Sequence, residues 1–94
     1  MIRARLTARA ARDFSNAVEY YRDAGQSARF ADAMERVFQQ IRDFPESAQP
    51  TADRQVRRAL LRGFPYAVFY RLTAQTINVI RIRHTSRTQW KGGR

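Results

Sequence analysis

The chain contains no cysteine, which excludes both a disulfide framework and a thiolate metal site. It has one histidine, His84, and no acidic residue at all beyond Asp53. Two-carboxylate hydrolysis and two-metal phosphoryl transfer therefore lack donors throughout the C-terminal half. No cluster of His, Asp and Glu has ligand spacing, so neither a metal nor a cofactor is expected. None of the four glycines builds a phosphate-cradling loop. No uncharged run approaches the roughly 20 residues that span a bilayer, and residues 1–6 lack the apolar segment of a secretory signal. A cytoplasmic chain with no membrane association is the expectation. At 94 residues, there is room for a single domain, residues 1–94, with one hydrophobic core.

What is present is arginine, and it is distributed unevenly. The net charge is +10. Residues 1–53 hold eight arginines and eight carboxylates, which cancel. Residues 54–94 hold nine arginines, Lys91 and no carboxylate, so the whole excess lies there. Such a one-sided field attracts polyanions or an acidic protein and speeds their association. The preference for arginine over lysine suits bidentate recognition of phosphate or carboxylate. Codon bias in a GC-rich genome would produce the same ratio, whereas the one-sidedness is harder to attribute to it.

Periodicity divides the chain into six elements. Residues 2–6 alternate Ile2, Ala4, Leu6 against Arg3, Arg5, a short strand with a basic face. Thr7 is placed to cap a helix whose apolar stripe is Ala11, Phe14, Ala17, Val18, Tyr21, and Gly25 is placed to end it. Ser27 is expected to cap a second helix with the stripe Phe30, Met34, Val37, Phe38, Ile41, and Pro45 stops it. The short link makes the two helices an antiparallel hairpin. Residues 45–53 read as a connecting loop. Strands are expected over 55–61, 66–72 and 76–84, joined by short links as an antiparallel meander. The order is β-α-α-β-β-β, an α+β fold in which the hairpin covers one sheet face and leaves the other open. If Ile80 and Ile82 face the core, Arg81 and Arg83 lie on the open face, joined by Arg71 and by Arg58 or Arg57. Ile77 and Val79 share parity with those arginines, so alternation alone leaves two facings in conflict.

Chemistry on such a face would rest on arginine, His84 and aromatics. Cleavage of RNA through its own 2′-hydroxyl needs a base, an acid and cationic stabilisation of the phosphate. His84 with Arg81, Arg83 and Arg87 would have to supply these, and arginine is a poor proton shuttle because its pKa exceeds about 12. A lone histidine at a strand end is more often a hydrogen-bonded structural residue. Tyr66, Phe69 and Tyr70 read as core packing before base stacking, and Tyr20 and Tyr21 as packing between helix and sheet. Trp90 suits either a cover for the core or an exposed anchor.

Several stretches together resemble the ParE/RelE superfamily of small bacterial toxins, and its ParE branch in particular. They are Leu6-Thr7-Ala8-Arg9-Ala10-Ala11-Arg12-Asp13-Phe14, Phe44-Pro45-Glu46, Val56-Arg57-Arg58, Gly63-Phe64-Pro65-Tyr66-Ala67-Val68-Phe69-Tyr70-Arg71 and Ile82-Arg83-His84-Thr85-Ser86-Arg87, followed by Trp90. The resemblance implies the toxin of a type II toxin–antitoxin pair, with an antiparallel sheet backed by a helical hairpin. It implies a hetero-oligomer with a cognate acidic, ParD-like antitoxin, encoded by a small adjoining reading frame. It also implies DNA gyrase as the target, bound without any catalytic residue; the basic and aromatic C-terminal surface read above makes Arg58, Arg81, Arg83, Arg87 and Trp90 the residues expected to bind it. The alternative from the RelE branch is an mRNA interferase acting on ribosome-bound or free mRNA, with His84, Arg81, Arg83 and Arg87 as its site. The RelE-type basic set with a terminal tyrosine is not reproduced, which weighs against it. A third reading is a family-fold protein that only pairs with its antitoxin.

Overall fold

The computed structural model describes residues 3–53 and 55–87. The elements are β1 (Arg3–Leu6), α1 (Ala8–Arg22), α2 (Ser27–Asp43), β2 (Gln49–Pro50), β3 (Arg57–Leu60), β4 (Tyr66–Thr73) and β5 (Thr76–His84), followed by a 3-10 turn, Thr85–Arg87. One sheet runs in the order β1-β5-β4-β3-β2. The α+β layout expected above is the one observed, with two refinements. β1 pairs with β5 in parallel, so the sheet is mixed. The expected loop over 45–53 contributes the two-residue strand β2, which pairs with β3.

Local chemistry accounts for most boundaries. The Thr7 hydroxyl accepts the Ala10 N–H at 3.1 Å and caps α1. At its far end Gly25 sits at φ +70°, the Gly25 N–H reaches Arg22 O and the Gln26 N–H reaches Tyr21 O. This is a Schellman closure, which favours glycine because a Cβ is strained there. The cap of α2 is Gln26, not Ser27, and it makes no side-chain capping bond. Phe44 ends α2 by donating its N–H to Gln40 O at 2.8 Å, and Pro45 prevents continuation.

The main core lies between the helical hairpin and one sheet face. Phe30, Ala33, Met34, Val37 and Ile41 of α2 meet Val68 and Tyr70 of β4 and Ile77, Val79 and Ile82 of β5. On α1 the buried alanines are Ala10 and Ala17; Ala11, expected on the stripe, is exposed. Tyr21 packs as expected, whereas Tyr20 is 69% exposed and meets Tyr21 only edge-on. Phe30 is the aromatic hub. Its ring lies 5.0 Å from Tyr21, 5.3 Å from Phe64, 5.3 Å from Tyr66 and 6.2 Å from Phe14, joining both helices to the start of β4. Fully buried Tyr70 donates its hydroxyl to Pro45 O at 2.7 Å, tying β4 to the loop after α2. Burial raises its pKa, which keeps the phenol a donor.

A β-bulge resolves the parity conflict in β5. Phe69 faces Arg81 and Tyr70 faces Val79, so Ile80 is the extra residue. Before it, Ile77 and Val79 face the helices; after it, Ile82 does. Ile80 itself packs with Val56, Ala67 and Phe69 in a second cluster on the opposite face. The expectation that Ile80 joins Ile82 in the main core is therefore overturned. Strict alternation cannot anticipate an inserted residue.

Candidate interaction site: the arginine-lined sheet face

The face turned away from the helices is built by cross-strand register. Arg58, Phe69 and Arg81 form one row across β3, β4 and β5, and Leu60, Ala67 and Arg83 form the next. A third row runs from Arg5 of β1 through Asn78 of β5 to Arg71 of β4. Ala4 and Leu6 pack into the helix-side core, so Arg3 and Arg5 stand on the same outward face. Neighbouring strands lie about 4.8 Å apart, which crowds these arginines around Ala67, Phe69 and Ile80, a second cluster in which Ala67 and Phe69 are fully buried.

Two of these arginines are compensated. The Arg81 Nε donates to Asp13 Oδ2 of α1 at 2.8 Å, and the same oxygen accepts the Ile82 N–H at 3.0 Å. Asp13 thus bridges α1 to the part of β5 that continues past its pairing with β1. Arg71 lies 3.7 Å from Asp53. Among the described residues no carboxylate pairs with Arg3, Arg5, Arg58 or Arg83. Arg57, weighed beside Arg58, belongs to the other side. It is in register with buried Tyr70 and donates to Glu46 O at 3.0 Å and Ala48 O at 2.6 Å, holding the loop that carries β2.

Replacing Asp13 by alanine is expected to cost about 2–3 kcal/mol, because Arg81 and the Ile82 N–H lose a shared charged partner. Thermal unfolding measures this. A variant as stable as the parent would show that the Asp13 bridge contributes nothing.

His84 ends β5 beside Tyr66, ring centroids 5.3 Å apart and edge-on. Its Nδ1 accepts the Ser86 N–H at 3.2 Å and lies 2.8 Å from the Ser86 hydroxyl. A backbone N–H only donates, so the neutral ring carries its proton on Nε2. In that tautomer Nδ1 accepts from Ser86 and Nε2 is the donor. The ring lines a groove of about 420 Å³ with Asp13, Asn16, Tyr20, Tyr66 and Arg83. Among the described residues no group of three His, Asp or Glu side chains could hold a metal ion.

The structure brings together Arg58, Arg81 and Arg83 from the expected set. The Arg87 side chain and Trp90 lie outside the described residues. Arg3 and Arg5 were legible as a basic strand face but not as part of this site, since that required knowing that β1 joins β5. Asp13 stood in the Leu6–Phe14 stretch with nothing to mark it as the partner of Arg81.

The comparisons with known proteins agree with this architecture. A family model described as the ParE toxin of the type II toxin–antitoxin system parDE matches residues 4–89. Among solved structures, the "Chromosomal ParDE TA system from P. aeruginosa" superposes with a TM-score of 0.68 at 19% identity, covering 89% of this chain and 96% of that one. No curated protein matches the chain. The fold likeness and the family match over nearly the whole sequence lead to one conclusion: this chain belongs to the ParE toxin family of type II toxin–antitoxin systems.

Proposed function

We propose that the protein arrests growth by binding DNA gyrase through the outward sheet face, and that an acidic antitoxin silences it by binding the toxin. The observation that carries this reading is the gathering of Arg3, Arg5, Arg58 and Arg83 on one sheet face, without carboxylate partners among the described residues. A binding mechanism requires a charged, shape-complementary face and no proton transfer. Arg58 and Arg83 contact the target, and Arg81, held by Asp13, keeps the rim of that face in place. Arg87 and Trp90, which follow β5 in the sequence, belong to the proposed contact set.

The competing reading, mRNA cleavage at His84, is less well supported by the geometry. It asks one histidine to act as base while its basic nitrogen accepts from Ser86. The two carboxylates nearest the arginine face, Asp13 and Asp53, are each paired with an arginine. The decisive measurement is supercoiling by purified gyrase. The toxin is expected to inhibit it, His84→Ala is expected to inhibit equally, and mRNA in a translation extract is expected to stay intact. RNA cleavage that disappears with His84→Ala would replace the gyrase reading by the interferase one.

A further inference from the structure

Charge in this protein is sorted by layer. The strands carry two arginines in β1, two in β3, one in β4 and two in β5, and none of the five strands holds a carboxylate. The helices instead interleave their arginines with Asp13, Glu19, Asp32, Glu35 and Asp43, which leaves that layer close to neutral. The positive field therefore points out of the sheet, away from the hairpin. Arg3, Arg5, Arg58 and Arg83 stand there without carboxylate partners among the described residues.

What lies between these arginines decides which anion they suit. Protein interfaces place an apolar or aromatic anchor at the centre and charge at the rim. Here the order is reversed. Arg58 and Arg83 stand on the strands flanking central β4, above Val56, Ala67 and Phe69, which are fully buried. Leu60, the exposed large apolar residue of this face, lies at the end of β3. Among the described residues the outward-facing ring is that of Phe69, and its burial leaves it unable to stack an unpaired base, as single-stranded nucleic acid requires. A duplex asks only for phosphate contacts. From β1 to β3 the face spans three strand spacings, about 14 Å. A duplex carries one charge per about 1.7 Å of axis, so about eight phosphates lie along that span. Guanidinium groups bind such phosphates in bidentate fashion.

We propose that the outward sheet face grips the phosphodiester backbone of duplex DNA, with Arg3, Arg5, Arg58 and Arg83 each meeting a phosphate. Resting on the gyrase reading above, the toxin then engages gyrase where gyrase holds its DNA. Contacts of this kind reach phosphates and not base edges, so binding carries no sequence preference. Arg81 keeps its place against Asp13 and is not one of the four.

The test measures binding of a short mixed-sequence duplex to the full-length toxin, without gyrase, across a salt series. Four phosphate contacts predict a slope of about −3.6 in log affinity against log salt, a loss on the order of 100-fold from about 50 to about 200 mM. Arg58→Ala with Arg83→Ala is expected to flatten the slope by about 2, and Arg3→Ala with Arg5→Ala by the same amount. Arg12→Ala with Arg36→Ala removes equal charge from exposed positions of the helical layer and is expected to leave the slope unchanged. Equal flattening by the helical pair would mean diffuse attraction to a basic protein and would overturn the proposal. So would absence of duplex binding at the lowest salt, or tighter binding of a single-stranded RNA of the same length. A parent toxin that binds the duplex with this slope yet leaves supercoiling unaffected would remove the gyrase reading alone. One that blocks supercoiling without binding the duplex would remove the DNA contact alone.

Discussion

Reversing Arg58 and Arg83 together to glutamate is expected to abolish growth arrest and gyrase inhibition while leaving the toxin folded. The outward face presents four arginines with no carboxylate partner among the described residues, and this change leaves it with no net excess charge from them. Complementarity to an acidic target surface is lost, which costs affinity at least about 100-fold and slows association as well. Neither residue forms an ion pair among the described residues, so stability should change by less than about 1 kcal/mol. Arg81 is a poor choice for the same experiment. Its guanidinium is bound to Asp13 at 2.8 Å, and removing it leaves that carboxylate poorly compensated, so lost function would be confounded with lost stability. The check is growth arrest on induction, scored at equal levels of folded protein, together with supercoiling inhibition. A double variant that still arrests growth would place the target contact elsewhere on the molecule.

Phe30→Ala is expected to remove a large share of the protein's stability. The ring is fully buried and bridges Phe14 and Tyr21 of α1 to Phe64 and Tyr66 at the start of β4. Truncating a buried phenylalanine costs about 3–5 kcal/mol from lost transfer energy and the cavity left behind. A domain of this size has about 5–15 kcal/mol in all. The melting temperature should fall on the order of 15–25 °C, at several degrees per kcal/mol. Phe44→Ala provides the contrast, since Phe44 is 64% exposed and its backbone bond to Gln40 O survives the change. Similar losses in the two variants would mean that the aromatic hub is not what joins the hairpin to the sheet.

Much of this architecture is legible in the chain itself. Thr7, Gly25 and Pro45 mark helix ends through backbone chemistry that acts locally, and each stands where it was expected. The spacing of Phe30, Met34, Val37 and Ile41 defines a helical face regardless of what that face meets. Strands β4 and β5 announce themselves by β-branched and aromatic residues between short links. The misreadings have identifiable causes. Ile80 was assigned to the wrong face because a bulge inserts one residue, and its position depends on how β4 and β5 pair. β2 escaped notice because two residues, one of them proline, carry no periodicity. Arg57 and Arg58 are adjacent and chemically identical, and only register with Tyr70 and Phe69 separates their fates.

By itself the sequence determined the order of the main elements, the family, and the fact that all net positive charge resides beyond residue 53. These follow from local propensity, patterning and composition, which need no knowledge of distant neighbours. Only the tertiary structure decided which arginines stand free. Asp13 reaches Arg81 across 68 residues and Asp53 reaches Arg71, while Arg3 and Arg5 join the outward face because β1 pairs with β5. A charge becomes available for binding only when no carboxylate is folded against it, and that depends on pairing and packing between distant segments.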